Sequence, residues 1–317
     1  MKVALLCHGT VLQPAIETLY IQNLLVGIGV PGVFRGVNDT IKHAASAFNL
    51  PFTYLPKENL EKSLSVWLED LKPDVVCMMG YPYQIPVAVL QYPRYGFFNL
   101  HGGKLPEYPG ADPVFWQLKN MESEGAITVH RVEPDMDTGA VAHVEPVPLS
   151  VKDTYGTVIQ RLGQLLPRAL VAFIQQLAIH RENLPLVRQK KGNGPVQRSR
   201  PEAVDQAVNW EESPRRIDAL VRSCNPIYNG ALTVIRKVPV RVLSVKLFQS
   251  ASDTKQSPGT ILKADPQEGI TVSCGGQGAL IIEIICTEGG FYTGGQFAEL
   301  INVRAGEAFT PFPSSPN

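Results

Sequence analysis

Short apolar runs alternate with amphipathic stretches through the first half of the chain. Residues 3–7 (VALLC) and 74–79 (DVVCMM) are nearly unbroken apolar runs of strand length, the pattern of strands covered on both faces. Residues 26–30, 52–55, 96–100, 126–132 and 140–147 read as further strands. Between them, residues 11–23, 60–71 and 113–120 carry apolar positions at helical spacing. Residues 41–48 do the same through Ile41, Ala44, Ala45 and Phe48, with Asp39 placed to N-cap that helix. A short helix is expected over 86–91, and the longest over 153–178. This alternation predicts an α/β layer structure around a largely parallel sheet.

The second half has a different rhythm. Residues 181–204 are polar and rich in Gly, Pro and basic side chains, and read as a linker. Trp210 opens a new unit. Ser213-Pro214 starts a helix whose apolar face, Ile217, Leu220 and Val221, runs to Cys224. Short strands split by glycines follow at 231–235, 240–247, 259–263, 270–273 and 280–286, then a short helix at 296–301. That spacing suits a small β-barrel. The expected division is a catalytic domain over 1–180, a linker over 181–204, a barrel over 205–310 and a disordered tail over 311–317.

Composition narrows the function classes. Of 317 residues, 29 are Lys or Arg and 29 are Asp or Glu, a balance unlike that of a protein built to grip a polyanion. A local exception is the stretch 188–200, which holds Arg188, Lys190, Lys191, Arg198 and Arg200 and no acid. Such a run is usually a solvated linker, though its charge suits phosphate. The five cysteines show neither a disulfide framework nor metal-ligand spacing, so no metal site and a reducing cytoplasm are expected. The N-terminal apolar run is too short for a signal peptide. No window approaches the ~20 apolar residues of a membrane span, so no membrane partner is expected.

Gly27-x-Gly29-x-x-Gly32 matches a dinucleotide-binding fingerprint letter for letter. That fingerprint needs a strand before it and a helix beginning on it, whereas here a helical stretch precedes it and Pro31 interrupts it. Strand and turn glycines are the better reading. The chemistry lies at 96–141. A strand ends in Asn99-Leu100-His101, and strand alternation puts Asn99 and His101 on one side with Leu100 turned away. In open α/β sheets ligands sit at this carboxyl edge. Met136-Asp137-Thr138-Gly139 is a tight turn between two strands, able to return Asp137 to the same edge. An amide, an imidazole and a carboxylate meeting there suit acyl transfer to an amine: the amide faces an oxyanion and the other two handle protons. Each also has a bland reading, the histidine as a structural strand end and the aspartate as a turn former.

The run NLHGGKLPEYPG followed by DMDTGAV resembles the signature of the folate-dependent formyltransferase family, which pairs N-x-H and an L-P-x-x-x-G loop with a D-x-G turn. The separation of His101 and Asp137 (137 − 101 = 36) is also similar to the family's. The likeness continues to a barrel domain opened by Asn209-Trp210 and a helix ending in Arg222, Asn225 and Pro226. It implies a Rossmann-like domain followed by an OB-like barrel, with N10-formyltetrahydrofolate as formyl donor. By the same resemblance, Asn99 would donate to the formyl oxygen, His101 would stabilise the tetrahedral species and relay a proton, and Asp137 would set the charge of the histidine and help take the amine's proton. Folate would lie along Met79, Gly80, Tyr81 and Ile85 and along the loop holding Asp135 and Gly139. Where many members read S-L-L-P after the histidine, this chain has Gly103-Lys104-Leu105-Pro106. Lys104 and Tyr108 are thereby candidates on the acceptor side. Three acceptors fit the class: a nucleotide-linked amino sugar, which is favoured, methionyl-tRNA, which the neutral charge disfavours, and an amine of a secondary metabolite. A formyltetrahydrofolate hydrolase and a non-catalytic folate-binding protein are the alternatives. The barrel would complete the acceptor site, mediate a homodimer, or be only an inheritance of the fold.

Overall fold

The computed structural model describes residues 1–33, 35–190, 199–248 and 256–313. Clustering of the chain gives two compact units. The first comprises 1–113, 124–148 and 159–198; the second comprises 114–123, 149–158 and 199–317.

In the first unit, β1 (Val3–Cys7), β2 (Leu25–Pro31), β3 (Phe52–Leu55), β4 (Val75–Met79) and β5 (Phe97–His101) form the parallel part of a seven-stranded sheet. The strands β6 (Glu124–Arg131) and β7 (Val141–Pro148) complete it antiparallel, in the order β3-β2-β1-β4-β5-β6-β7. The expected mostly parallel α/β layer is therefore present. All five residues of β1 are buried, as its continuous apolar run requires. Helix α1 spans Gln13–Ile21 and α2 spans Arg35–Ala47. Helix α3 (Leu60–Leu71) ends in left-handed Lys72, just before Pro73.

Three local expectations are corrected. Helix α2 begins a turn before Asp39, whose carboxylate accepts from the Tyr54 hydroxyl (3.5 Å) instead of capping the helix. Its neighbour Asn38 is fully buried and makes the inward contacts, to His8 Nδ1 (3.1 Å) and the Val33 carbonyl (3.5 Å). The stretch 86–91 forms only a 3-10 turn, Val87–Val89, because Pro86 and Pro93 leave room for little more. Helix α5 (Tyr155–His180) is, by length and composition, apolar enough to cross a membrane, with a mean hydropathy of 1.3 over its best window. In the first unit that apolarity is used for packing: Leu166, Ala169, Leu170 and Phe173 are fully buried, and the Phe173 ring lies 4.6 Å from that of Phe98 on β5.

The fingerprint glycines lie in and just after β2, where space rather than phosphate explains them. A Cβ at Gly27 would meet Leu71 Cδ1 at 2.5 Å, and one at Gly29 would meet Leu6 and Leu55 methyls at 2.7 and 2.8 Å.

The second unit contains most of α4 (Pro113–Lys119), then α6 (Pro214–Ser223) and α7 (Gly294–Leu300) beside an antiparallel sheet. Its strands are β8 (Ala231–Ile235), β9 (Val238–Phe248), β10 (Ile261–Asp265), β11 (Gly269–Cys274), β12 (Gly278–Thr287), β13 (Gly290–Thr293) and β14 (Phe309–Thr310). The ladder runs β10-β11-β12-β9-β8-β14, with β13 beside β12. It curls until its ends meet at a Thr260–Ala308 bridge, supported by Phe309 N–H donating to Gly259 O (2.9 Å). Trp210 is buried inside it, its indole N–H donating to Thr233 Oγ1 (3.0 Å). The indole thus adds apolar area without an orphaned donor.

Candidate active site

Strand β5 delivers the polar pair as its alternation requires. Leu100 is buried in the core, while Asn99 and His101 share the other face. The antiparallel neighbour β6 adds two more polar residues to that face: His130 lies opposite Asn99, and Thr128 opposite His101.

Asp137 comes to this face from the turn between β6 and β7. Its backbone is left-handed (φ 55°), and the Thr138 hydroxyl donates to Asp135 O (2.9 Å) to close the turn. Gly139 is required by proximity, since a Cβ there would lie 1.8 Å from Arg131 O. The Asp137 carboxylate accepts from Gly110 N–H (2.8 Å) and from Asn99 Nδ2 (3.4 Å). It lies 3.3 Å from His130 Nε2 and 3.7 Å from His101 Nδ1. Burial alone would raise this carboxyl. Hydrogen bonding from His130, the neighbouring His101 and the Gly110 N–H outweigh that and hold it down at about 2.

The loop after His101 fixes its imidazole. His101 Nε2 donates to the Tyr108 carbonyl at 2.6 Å. A carbonyl only accepts, so Nε2 carries the hydrogen and Nδ1 becomes the titrating edge, facing Asp137. Burial pushes His101 below its ordinary value and His130 adds to that, while the Asp137 carboxylate and the Tyr108 carbonyl oppose it. Thr128 pins the loop by donating to Gly103 O (2.8 Å) and accepting from Leu105 N–H (3.4 Å). Gly103 is set by close approach: a Cβ would lie 2.5 Å from Pro113 Cβ and 2.9 Å from His101 Nε2.

This arrangement of a half-buried amide, a buried imidazole and a low-lying carboxylate falls within a recognised family unit. Residues 34–174 match the family model described as formyl transferase, and residues 202–298 match its C-terminal domain. The chain belongs to the formyl transferase family. Its fold is shared with WlaRD, a sugar 3N-formyl transferase solved with dTDP and 5-N-formyl-THF, at 14% identity and a TM-score of 0.65, over 89% of this chain and 96% of that one. An N-formyltransferase from Helicobacter canadensis, solved with folinic acid and dTDP-3-aminofucose, aligns at 15% identity and a TM-score of 0.66, over 92% and 100%. HypX from Aquifex aeolicus, in complex with tetrahydrofolic acid, aligns at 14% and 0.60; 94% of this chain spans 47% of that one.

In this formyltransferase the other sequence candidates lie on three segments of the chain. Met79 ends β4, and Gly80 follows it with a positive φ of 63°. Tyr81 and Ile85 are buried in the apolar cluster around Leu64, Trp67 and Phe97. Asp135 is exposed, Gly139 buried. The Gln84 side chain donates to Pro134 O, so the segments 79–85 and 135–139 are joined. An open cavity of about 680 Å³ beside the first of these is lined by Tyr83, Gln84, Pro86 and the start of α3. Lys104 is exposed on the catalytic loop, whereas Tyr108 is buried and contributes its carbonyl to His101. Of the basic stretch, Lys191 and Arg198 lie outside the described residues, as do residues 314–317 of the tail. Sequence reasoning missed His130 and Thr128. Their signal was present in the alternation of T-V-H along a buried strand, but its meaning depends on which residues lie across the ladder. Gln189 was also missed; it sits in the basic segment and reaches the Asp137 turn.

Proposed function

We propose that this chain transfers a formyl group from N10-formyltetrahydrofolate to the primary amine of a nucleotide-linked amino sugar. The observation that carries the reaction is the convergence of Asn99, His101 and Asp137 on one polar face. The folate donor is supported by the tetrahydrofolate compounds held by structural neighbours, and the amino-sugar acceptor by the dTDP ligands in two of them. The local chemistry fits a polar heterocycle: the hydroxyls of Tyr81 and Tyr83, on the 79–85 loop, are buried without hydrogen-bond partners among the described residues. The donor, when bound, supplies a formyl carbon activated for attack by an amine.

Asn99 directs an amide N–H at the formyl oxygen as negative charge builds there. Its present contacts, 3.3 Å to His130 Nε2 and 3.4 Å to Asp137, are long, so exchanging one for a short charge-assisted bond is favourable. Asp137 and the Nδ1 edge of His101 receive the proton that the acceptor nitrogen loses as its new C–N bond forms. They return it to the donor nitrogen as the old C–N bond breaks.

The test is a mass-spectrometric screen for one added formyl group on nucleotide amino sugars and on methionyl-tRNA, with formyltetrahydrofolate as donor. Formylation of an amino sugar that is lost in His101→Ala is the expected result. Formyl transfer to methionyl-tRNA alone would replace the acceptor, and formate release at full rate without any amine would replace transfer by hydrolysis.

A further inference from the structure

Residues after α5 pass beside the edge strand β7. Val141 and Val187 exchange backbone hydrogen bonds of 2.8 Å in both directions, which fixes the register of this segment. Two residues later, the Gln189 side chain reaches the turn that leads into the same strand. Its single amide nitrogen donates to Asp137 O at 2.8 Å and to Gly139 O at 2.8 Å. These are the two carbonyls that flank Thr138 in the turn. Both partners only accept, so the position requires two N–H groups on one planar nitrogen; a carboxylate of the same size offers none.

The turn has reason to need such a clamp. Asp137 holds a left-handed backbone without being glycine, a conformation that persists only when its surroundings enforce it. Its carboxylate must also meet Gly110 N–H, Asn99, His130 and His101 together. The His101 contact, at 3.7 Å, would be lost to a small displacement. We propose that Gln189 is a positioning residue for formyl transfer: by bridging the Asp137 and Gly139 carbonyls it holds the Asp137 carboxylate in register with His101.

This rests on Asp137 acting in the proposed reaction, so one readout is independent of activity. The Gly110 amide donates to the Asp137 carboxylate and reports directly on its position. In the full-length protein, Gln189→Ala and Gln189→Glu are expected to speed hydrogen exchange at Gly110 and to lower kcat by roughly tenfold to a hundredfold. KM for donor and acceptor and the Tm should stay close to wild type. Gln189→Glu keeps the volume and removes the donors, so it separates clamping from packing. Wild-type exchange at Gly110 together with wild-type kcat in Gln189→Glu would overturn the proposal. If the wild type formylates no amine, the exchange measurement still decides the role of Gln189, and only the functional reading fails.

Discussion

His130 lies directly across the β5–β6 ladder from Asn99, and both side chains reach the same oxygen of Asp137, at 3.3 and 3.4 Å. The His130 Nδ1 edge faces Arg131 O (3.0 Å), and its Nε2 edge faces the carboxylate. The aspartate thus lies against two imidazoles, one from each strand. Removing the partner that lies off the N-x-H motif should therefore weaken the motif itself. His130→Ala is expected to lower kcat about tenfold to a hundredfold with little change in KM. Steady-state kinetics check this, and unchanged kcat would show that His101 and Gly110 suffice to place Asp137.

Thr128→Val tests the support beneath the loop. The substitution keeps the volume but leaves Gly103 O and Leu105 N–H without their shared partner. Loss of this buried hydroxyl should cost about 1–3 kcal/mol in chemical denaturation. The loop that brings Tyr108 O to His101 should loosen as well, seen as faster exchange of its amides.

Gly103→Ala places a methyl group against Pro113 and within 2.9 Å of His101 Nε2. Overpacking of this kind costs about 1–3 kcal/mol. The accompanying shift of the imidazole should reduce kcat by more than about tenfold. A serine, as found here in many relatives of the motif, should be no better tolerated in this backbone. Thermal melts and kinetics of both variants decide it.

The two perturbed groups set the pH response. Asp137 lies at about 2, below the ordinary carboxylate value, so its stabilisation is complete above the unfolded value of about 3.9 and is lost as pH falls toward 2. His101 is also lowered, so the unfolded chain binds its proton first. Stability therefore begins to fall as pH drops below about 6.5 toward the folded value of His101. Urea denaturation at a series of pH values should show both steps, and His101→Gln should abolish the upper one. For activity, neutral His101 should persist through neutral pH, placing the acid limb of kcat below about 6.5; a limb above that value would contradict the assignment.

Much of this was legible in the chain. The apolar run of β1 and the spacing of α3 are local signals, and the structure reproduces both. Asn99 and His101 were readable because strand alternation is also local. His130 and Gln189 were not, since their roles arise from register between segments distant in sequence. The start of α2 was misplaced because Asn38 and Asp39 are both capping residues, and tertiary contacts turned the first inward. Strands β13 and β14 span only 4 and 2 residues, too short for a period to show. Gly103 carried a further ambiguity: sequence offers its conformational freedom, while structure shows that the space beside His101 is what demands it.

Main-chain atoms do much of the holding in this centre: the carbonyl of Tyr108 orients His101, the N–H of Gly110 meets Asp137, and the carbonyls of Asp137 and Gly139 anchor its turn. Lys104 and Glu107 are exposed on the same loop. Exposed side chains on this loop can therefore be exchanged without rewriting the atoms that hold the imidazole and carboxylate. The geometry of the centre is thus written in backbone atoms, which a change of side chain on this loop leaves in place.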